Sequence, residues 1–299
     1  MILKKIIIVS GPHGNEINPI WAVKKFRDQN SSIDRHIEYK YILGNPKAYK
    51  KGIRYVDTDL NRSFGLLNKS TNRNLYEVKR ANSLVDQYGM NGLEPCQIAI
   101  DLHTTTANMG TSIVMYGRRI KDFCLAALLQ NKYGLPIYLH ENDLKQTGFL
   151  VEAWPCGLVI EIGSVAQNFF DPKIIKRFLI IIKSIREEIN KLRNNEIQLP
   201  SQLVVHVHKG SIDYPRDENG EINALIHPER IKKDWKPIKK GDPLFLDLQG
   251  NTKSYLEEEV IRPVFIGEVA YKEKNIAMSY TIKEVIYSSK QWAEEFLSF

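Results

Sequence analysis

The sequence predicts an α/β layer sandwich built around a largely parallel or mixed sheet, followed by a smaller, mostly β C-terminal domain. Three observations carry that prediction. Runs such as Ile6-Ile7-Ile8-Val9 and Leu158-Val159-Ile160 are apolar at every position, which marks short buried strands. They alternate with longer segments of helical period, the pattern of a sheet covered by helices. Near Leu199-Pro200 the texture changes to short β-like runs punctuated by Gly, Pro and Asn. These place one domain at residues 1–199 and a second at 200–299.

Taken in order, the first apolar run empties into Gly11-Pro12-His13-Gly14-Asn15-Glu16, a tight loop. Residues 18–29 carry Ile20, Trp21, Val23 and Phe26 at helical spacing, with Pro19 suited to a first turn. Residues 38–43 read as a second strand that ends at Gly44-Asn45-Pro46. Residues 49–74 are polar and read as a long loop, which inside a compact domain is usually functional. A helix is expected over 75–88, stopped by Gly89. A strand follows over 97–102 and empties into His103-Thr104-Thr105-Thr106. Then come a strand at 111–116, a helix at 121–132, a short strand at 136–139, a strand at 158–163 and a long amphipathic helix at 172–194. Beyond the boundary, β-like runs are expected at 203–207, 244–248 and 264–270.

At 299 residues, with 43% hydrophobic and 26% charged residues, the chain has the make-up of a soluble globular enzyme. Its 42 basic and 35 acidic residues leave a net charge of +7. The basic residues are scattered and no nucleic-acid signature accompanies them, so a small anionic ligand is the favoured partner and nucleic acid is not. Cys96, Cys124 and Cys156 are odd in number and widely spaced, which argues for free thiols in a reducing compartment. No window is long and apolar enough for a membrane span, and no leader is legible at the N-terminus. A cytoplasmic protein with no membrane contact is expected.

Two imidazoles and a carboxylate form the ligand set of a catalytic zinc that keeps one position for water. His13 and Glu16 lie three residues apart in a glycine-bearing loop, and His103 follows another strand as His13 does. Neighbouring strands of an open α/β sheet empty their loops at one edge, so the three can converge. The alternative is a solvated polar loop. Asp101 is suited to accept the second N–H of His103 or simply to end its strand. In Arg54-Tyr55-Val56-Asp57-Thr58-Asp59-Leu60-Asn61-Arg62, the arginines suit carboxylates, unless they only pair with Asp57 and Asp59. Glu161 sits inside an apolar strand, where a carboxylate is costly without a task or a partner. A general base near neutrality needs such an environment, while an arginine facing the strand end is the plainer reading.

In this order, these motifs resemble the aspartoacylases, in the wider group of succinylglutamate desuccinylases and zinc carboxypeptidases. The likeness covers nearly the whole chain. It rests on GPHGNE at 11–16, NP at 45, RYVDTDLNRSF at 54–64, DLHTTTANMG at 101–110 and the Glu161 strand. YPRDENGEI at 214–222, ALIHP at 224–228, DWKP at 234–237, GDPLFL at 241–246 and PVFIGEVAY at 263–271 extend it. The resemblance implies a zinc-carboxypeptidase-like mixed-sheet sandwich with helices on both faces, whose β domain narrows access to the site. It implies one Zn2+ per subunit held by His13, Glu16 and His103, with Glu161 as general base and Arg54 polarising the scissile carbonyl. Asn61, Arg62 and Tyr271 would hold the substrate's carboxylates. The implied reaction is hydrolysis of N-acyl-L-aspartate, such as N-acetyl-L-aspartate. The alternatives are another N-acyl acidic amino acid, such as N-succinylglutamate, or a peptide C-terminus, and a homo-oligomer is compatible with all of them.

The chain departs from the better-known mammalian members upstream of Glu161. Those have a tyrosine and an arginine there, whereas residues 145–154 have Gln146 near the tyrosine position and no arginine. Thr104 also stands where those members have asparagine. Of the remaining candidates, His206 and His208 alternate on one strand face, where they could bind metal but read sooner as a surface pair; Cys156 has no histidine placed to activate it, and Arg118-Arg119 reads as a solvated turn. A non-catalytic anion- or nucleic-acid-binding protein is the competing class; it would bind no stoichiometric zinc and would show steep salt dependence.

Overall fold

The computed structural model describes residues 4–29, 37–66, 74–141, 143 and 146–298. In chain order the first elements are β1 (Lys4–Ser10), α1 (Ile17–Gln29), β2 (Ile37–Leu43), α2 (Pro46–Lys51), α3 (Tyr76–Tyr88) and β3 (Ile98–Thr105). Next are β4 (Thr111–Tyr116), α4 (Ile120–Tyr133), β5 (Ile137–His140), β6 (Cys156–Gly163), α5 (Pro172–Arg193) and β7 (Gln202–Ile212). The chain ends with β8 (Ala224–Ile226), β9 (Pro243–Asp247), β10 (Thr252–Ser254), β11 (Arg262–Val264), β12 (Met278–Tyr287) and α6 (Lys290–Leu297).

Ile6, Ile7, Ile8 and Val9 are all fully buried because β1 is covered on both faces. Alternation along the strand divides them. Ile6 and Ile8 join one core with residues of α1, α4, α5 and α6, while Ile7 and Val9 join another with Ala81 and Leu84 of α3. Each such side chain contributes roughly 1.5–3 kcal/mol by leaving water. The sheet is nine-stranded among the described residues, in the order β11-β12-β7-β5-β4-β6-β3-β1-β2. β2, β1, β3 and β6 run parallel, β4 opposes β6, and β7, β12 and β11 alternate, so the sheet is mixed. A separate three-stranded sheet, β10-β9-β8, has its own small core around Leu244, Phe245, Ile261 and Met278.

Three differences from the sequence reading have physical causes. β3 runs on through Thr105 where a loop was expected from His103, because Leu102, His103 and Thr105 are buried and pair in register with Ile160, Glu161 and Gly163 of β6. The β run expected at 264–270 stops at Val264, where Phe265 takes a left-handed φ of 55° and a 3-10 turn follows at Val269–Lys274. The loop expected at 49–74 holds the end of α2 and 3-10 turns at Leu60–Arg62 and Phe64–Leu66; residues 67–73 lie outside the described residues. β12 and α6 were not anticipated. The boundary expected at Leu199-Pro200 falls between α5 and β7, yet β7, β11 and β12 pair into the large sheet, and Trp292 of α6 stacks on Phe123 of α4 at 5.3 Å.

Candidate active site

The site is built where β1, β3 and β6 end. β1 and β3 pair with Ser10 opposite Leu102, and β3 and β6 with His103 opposite Glu161. Gly11, at φ 63°, turns the chain out of β1. Gly14 has to be glycine, because a Cβ there would stand 2.1 Å from the backbone of Ala48 and Tyr49. Its N–H donates to the carbonyl of Arg54 at 3.1 Å, which binds the first loop to the arginine-bearing one. That second loop is shaped by Glu77 of α3, fully buried, whose carboxylate accepts from the N–H groups of Val56, Asp57 and Thr58 at 2.6–3.2 Å.

His13, Glu16 and His103 are each buried, and one ligand atom from each lies within 4.8 Å of the others. Nδ1 of His13 is 2.6 Å from Oε1 of Glu16, and Nδ1 of His103 is 3.2 Å from Oε2. The other ring nitrogens face outward onto carboxylates: Nε2 of His13 is 3.0 Å from Asp59 and Nε2 of His103 is 2.8 Å from Asp101. Glu16 also accepts the N–H of Thr104 at 2.8 Å. A carboxylate behind each imidazole fixes which nitrogen faces inward, the arrangement that supports a ligating histidine. The donor set of two imidazoles and one carboxylate fits a zinc-type ion. The charges are balanced accordingly. Burial opposes ionisation of Glu16, yet His13 and His103 outweigh it and hold the carboxyl low. Burial likewise disfavours the charged form of His103, but Asp101 and Glu16 raise it well above the ordinary histidine range.

Glu161 is the exception among these carboxylates. Burial raises it to about 8, with Glu16 and Glu268 adding to the rise and His103 opposing it, and its Oε2 has no hydrogen-bond partner among the described residues. It faces an internal cavity of about 30 Å³ whose wall includes Tyr116, Tyr138, His140, Phe149, Phe265 and Tyr271. Tyr271, the one expected site residue from the C-terminal part, is thus beside Glu161, and burial lifts its hydroxyl above the usual tyrosine range. Arg54 donates through Nη2 to Asp59 at 3.2 Å and brings Nη1 to 3.6 Å from Glu16, while its buried Nε has no hydrogen-bond partner among the described residues. On its other side Arg54 lines a surface pocket of about 490 Å³ with Asn15, Gln167 and Glu273. Arg62 lies over the Phe149 ring at 4.0 Å and donates to Gln146 at 3.2 Å. Asn61 turns inward: its Nδ2 donates to Asp101 at 2.8 Å and its Oδ1 accepts the N–H of Leu150 at 2.7 Å.

Four contributors escaped the sequence reading. Asp59 pairs with Arg54 as the plain alternative had it, but it also holds His13; Asp57 instead accepts the N–H of Tyr76 at the start of α3. Glu77 gives no sequence signal beyond a helical charge. Glu268 accepts from the hydroxyl of Thr105 and from the N–H groups of Thr106 and Ala107, so it ties the Tyr271 turn to the end of β3. Lys274 stands near Arg62, and burial together with that guanidinium brings its ammonium down to about 8.

The lesser candidates also resolve. His206 and His208 are not a surface pair: His206 packs on Trp235 at 5.0 Å and His208 is buried beside His140. Cys156 is buried and its thiol is pushed well up by burial, so it is no nucleophile. Arg118 pairs with Glu141 and Glu284, and Arg119 with Asp122 and the carbonyls of Trp154 and Val151, which makes that segment a clamp and not a free turn. Gln146 adjoins Arg62, while Lys145 lies outside the described residues.

Comparison with known proteins gives this geometry a family. Residues 2–189 match the model of the succinylglutamate desuccinylase/aspartoacylase catalytic domain, and residues 201–283 match that of the AstE/AspA barrel-sandwich hybrid domain. The chain belongs to the succinylglutamate desuccinylase/aspartoacylase family. A probable aspartoacylase of Prochlorococcus marinus subsp. pastoris is 71% identical over 298 residues, covering 100% of both chains. Another Prochlorococcus marinus probable aspartoacylase is 48% identical and covers 97% of this chain and 96% of its own. Among solved structures, murine aminoacylase 3 superposes with a TM-score of 0.85 at 27% identity, covering 96% of this chain and 97% of its own. Succinylglutamate desuccinylase from Vibrio cholerae shares the fold, with a TM-score of 0.61 at 17% identity over 96% and 85% of the two chains. The family acts on amide bonds of N-acyl amino acids, and the mixed α/β sheet with a C-terminal barrel-sandwich hybrid domain is its architecture. No helix among the described residues is long and apolar enough to cross a membrane.

Proposed function

We propose that this member of the family is a zinc-dependent amidohydrolase that cleaves N-acyl-L-aspartate, such as N-acetyl-L-aspartate, into a carboxylate and L-aspartate. The observation that carries the reading is the inward-facing His13, Glu16 and His103 group, backed by Asp59 and Asp101 and standing beside Glu161. In this reading the three residues hold one Zn2+ per subunit. When bound, zinc supplies Lewis acidity, which lowers the pKa of a water toward ~7 and favours negative charge on the acyl oxygen.

The chain's own residues move the protons. Glu161 takes a proton from the attacking water as the water adds to the acyl carbon. It then returns that proton to the nitrogen of the leaving aspartate as the C–N bond breaks. Arg54 donates to the oxygen on which charge develops, an effect worth ~10²–10³ in rate per well-placed donor. Its unpartnered Nε and its hold on Asp59 and Glu16 support that role, since the guanidinium is anchored before substrate arrives. Arg62 and Tyr271 hold the substrate's carboxylates, with Gln146 steadying Arg62, while Asn61, expected to join them, braces the Asp101–His103 pair from behind. The Glu268 anchor supports a C-terminal domain, residues 200–299, that narrows the approach to Glu161. A cytoplasmic enzyme acting on a small anionic substrate, with no nucleic-acid partner, completes the proposal.

One observation favours a sibling reading. Residues 146–154 bring Gln146 and Phe149 against Arg62, and no second cation. That suits a deacylase for another N-acyl acidic amino acid, such as N-succinylglutamate, or a carboxypeptidase-like enzyme. Turnover of N-acetyl-aspartate, N-succinyl-glutamate and a dipeptide by zinc-verified protein separates the three. Cleavage of the first is expected, cleavage of only the second or third transfers the assignment, and cleavage of none overturns it.

A further inference from the structure

A second group of metal-capable side chains lies apart from the first. His140 ends β5 and His208 lies on β7, and the two strands pair in parallel with Leu139 opposite Val207. That register sets the two rings side by side, with centroids 4.8 Å apart. Asp143 comes from the loop after β5, and one ligand atom from each of His140, Asp143 and His208 lies within 4.8 Å of the others. His140 is 6% exposed, and its Nε2 has no hydrogen-bond partner among the described residues. That nitrogen faces Oδ2 of Asp143 at 3.7 Å.

We propose that His140, Asp143 and His208 form a second metal site, which takes a divalent transition cation. Two donors bound to one tetrahedral ion, each ~2.1 Å from it, stand about 3.4 Å apart. The His140–Asp143 spacing needs only a small contraction to meet that value. His208 is oriented as a ligand would be: its Nδ1 is 2.8 Å from the hydroxyl of Tyr138, so with Nδ1–H donated there, Nε2 carries the free lone pair. Tyr138 is itself buried and fixed. Two imidazoles and one carboxylate select Zn2+, Co2+, Ni2+ or Cu2+ over Mg2+ and Ca2+, which want oxygen donors. Both rings are disposed to be neutral, since burial lowers each of them, His140 to about 4, with the two rings adding mutual repulsion at His140. A charge-free pair of rings is ready to ligate without first releasing protons.

The location gives the ion something to act on. Asp143 and His208 line a surface cavity of about 870 Å³, so an ion has a path in from solvent. Oδ2 of Asp143 accepts from Nε2 of Gln146 at 3.2 Å, and Oε1 of Gln146 accepts from Arg62. An ion on Asp143 is therefore two hydrogen bonds away from Arg62, and it would hold the loop that steadies that guanidinium.

The test is metal stoichiometry, and it does not depend on which substrate the enzyme cleaves. Tag-free protein, stripped with chelator and dialysed against excess Co2+, is desalted and analysed for bound cobalt; visible absorption reports the ligand field. The wild type should retain two Co2+ per chain. H208Q and D143N should each retain one, H13A should retain one, and the H13A/H208Q double variant should retain none. Far-ultraviolet circular dichroism checks that each variant is folded, and H140Q replaces H208Q if the latter is not. A wild type that saturates at a single Co2+, or folded H208Q and D143N proteins that still hold two, overturns the proposal.

Discussion

Among the described residues stand two groups of two histidines and one carboxylate, and they are opposite in electrostatics. In the group at the ends of β1 and β3, each imidazole is backed by a carboxylate, Asp59 or Asp101, and Arg54 closes the network. In the group between β5 and β7, the rings are packed by Tyr116, Tyr138 and Phe149, and the backing contact is a tyrosine hydroxyl on His208. Burial pushes both kinds of histidine toward the neutral form. At His103 Asp101 and Glu16 reverse it; at His140 Asp143 opposes it without reversing it, and the neighbouring His208 adds to the fall. The lesson is that residue type sets what a cluster can bind, while the second layer of contacts sets how basic it is and how firmly it is oriented.

The largest effects test the first group. His103→Ala removes one of three donors, so the ion held there should be lost on desalting and turnover should fall to background; elemental analysis and an assay on the same sample check it. Glu161→Gln keeps the shape of the side chain but cannot accept a proton. It should retain that ion and lose about 10²–10⁴ of kcat. Survival of turnover in that variant removes Glu161 from the mechanism. The comparison itself is sharpened by Asp59→Asn and Asp101→Asn, which leave the ligands in place and weaken their backing. A 10–100-fold loss of metal affinity is expected for each, measured by competition with a chromophoric chelator; unchanged affinity would mean that the carboxylates only neutralise charge.

The smallest effect concerns the neighbouring cation. Lys274, brought down to about 8 by burial and by Arg62, is charged below that pH and loses its charge above it. KM for an anionic substrate should therefore rise a few-fold as pH climbs through about 8, with kcat less affected. Lys274→Met should flatten that rise. If the variant keeps the same profile, some other group is titrating.

Much of this was legible in the chain because the relevant signals are local. β1, β4 and β6 are apolar runs whose burial follows from composition, and the loop glycines announce themselves. His13, Glu16 and His103 can be joined from the sequence because parallel neighbours deliver their ends to one edge. What stayed hidden depends on pairings distant in sequence. Asp59 looked like a surface partner for arginine until His13, 46 positions away, met its other oxygen. Asn61 has the composition of a substrate contact, yet its amide is engaged inside with Asp101 and Leu150. The end of β3 was misjudged because a His-Thr-Thr stretch is polar; the threonines are β-branched, and pairing with β6 decides their conformation. β12 did carry a signal, since its buried and exposed residues alternate along Met278–Tyr287. His140 and His208 are 68 positions apart, and only the β5–β7 register makes them neighbours.

The most direct test of the central claim is product analysis on protein whose zinc content has been measured. Wild type and Glu161→Gln, each carrying zinc at the His13, Glu16 and His103 group, are incubated with N-acetyl-L-aspartate. The wild type should release acetate and L-aspartate in equal amounts while the variant releases almost none. Zinc-loaded wild type that leaves the substrate intact, or a variant that matches it, would contradict the account.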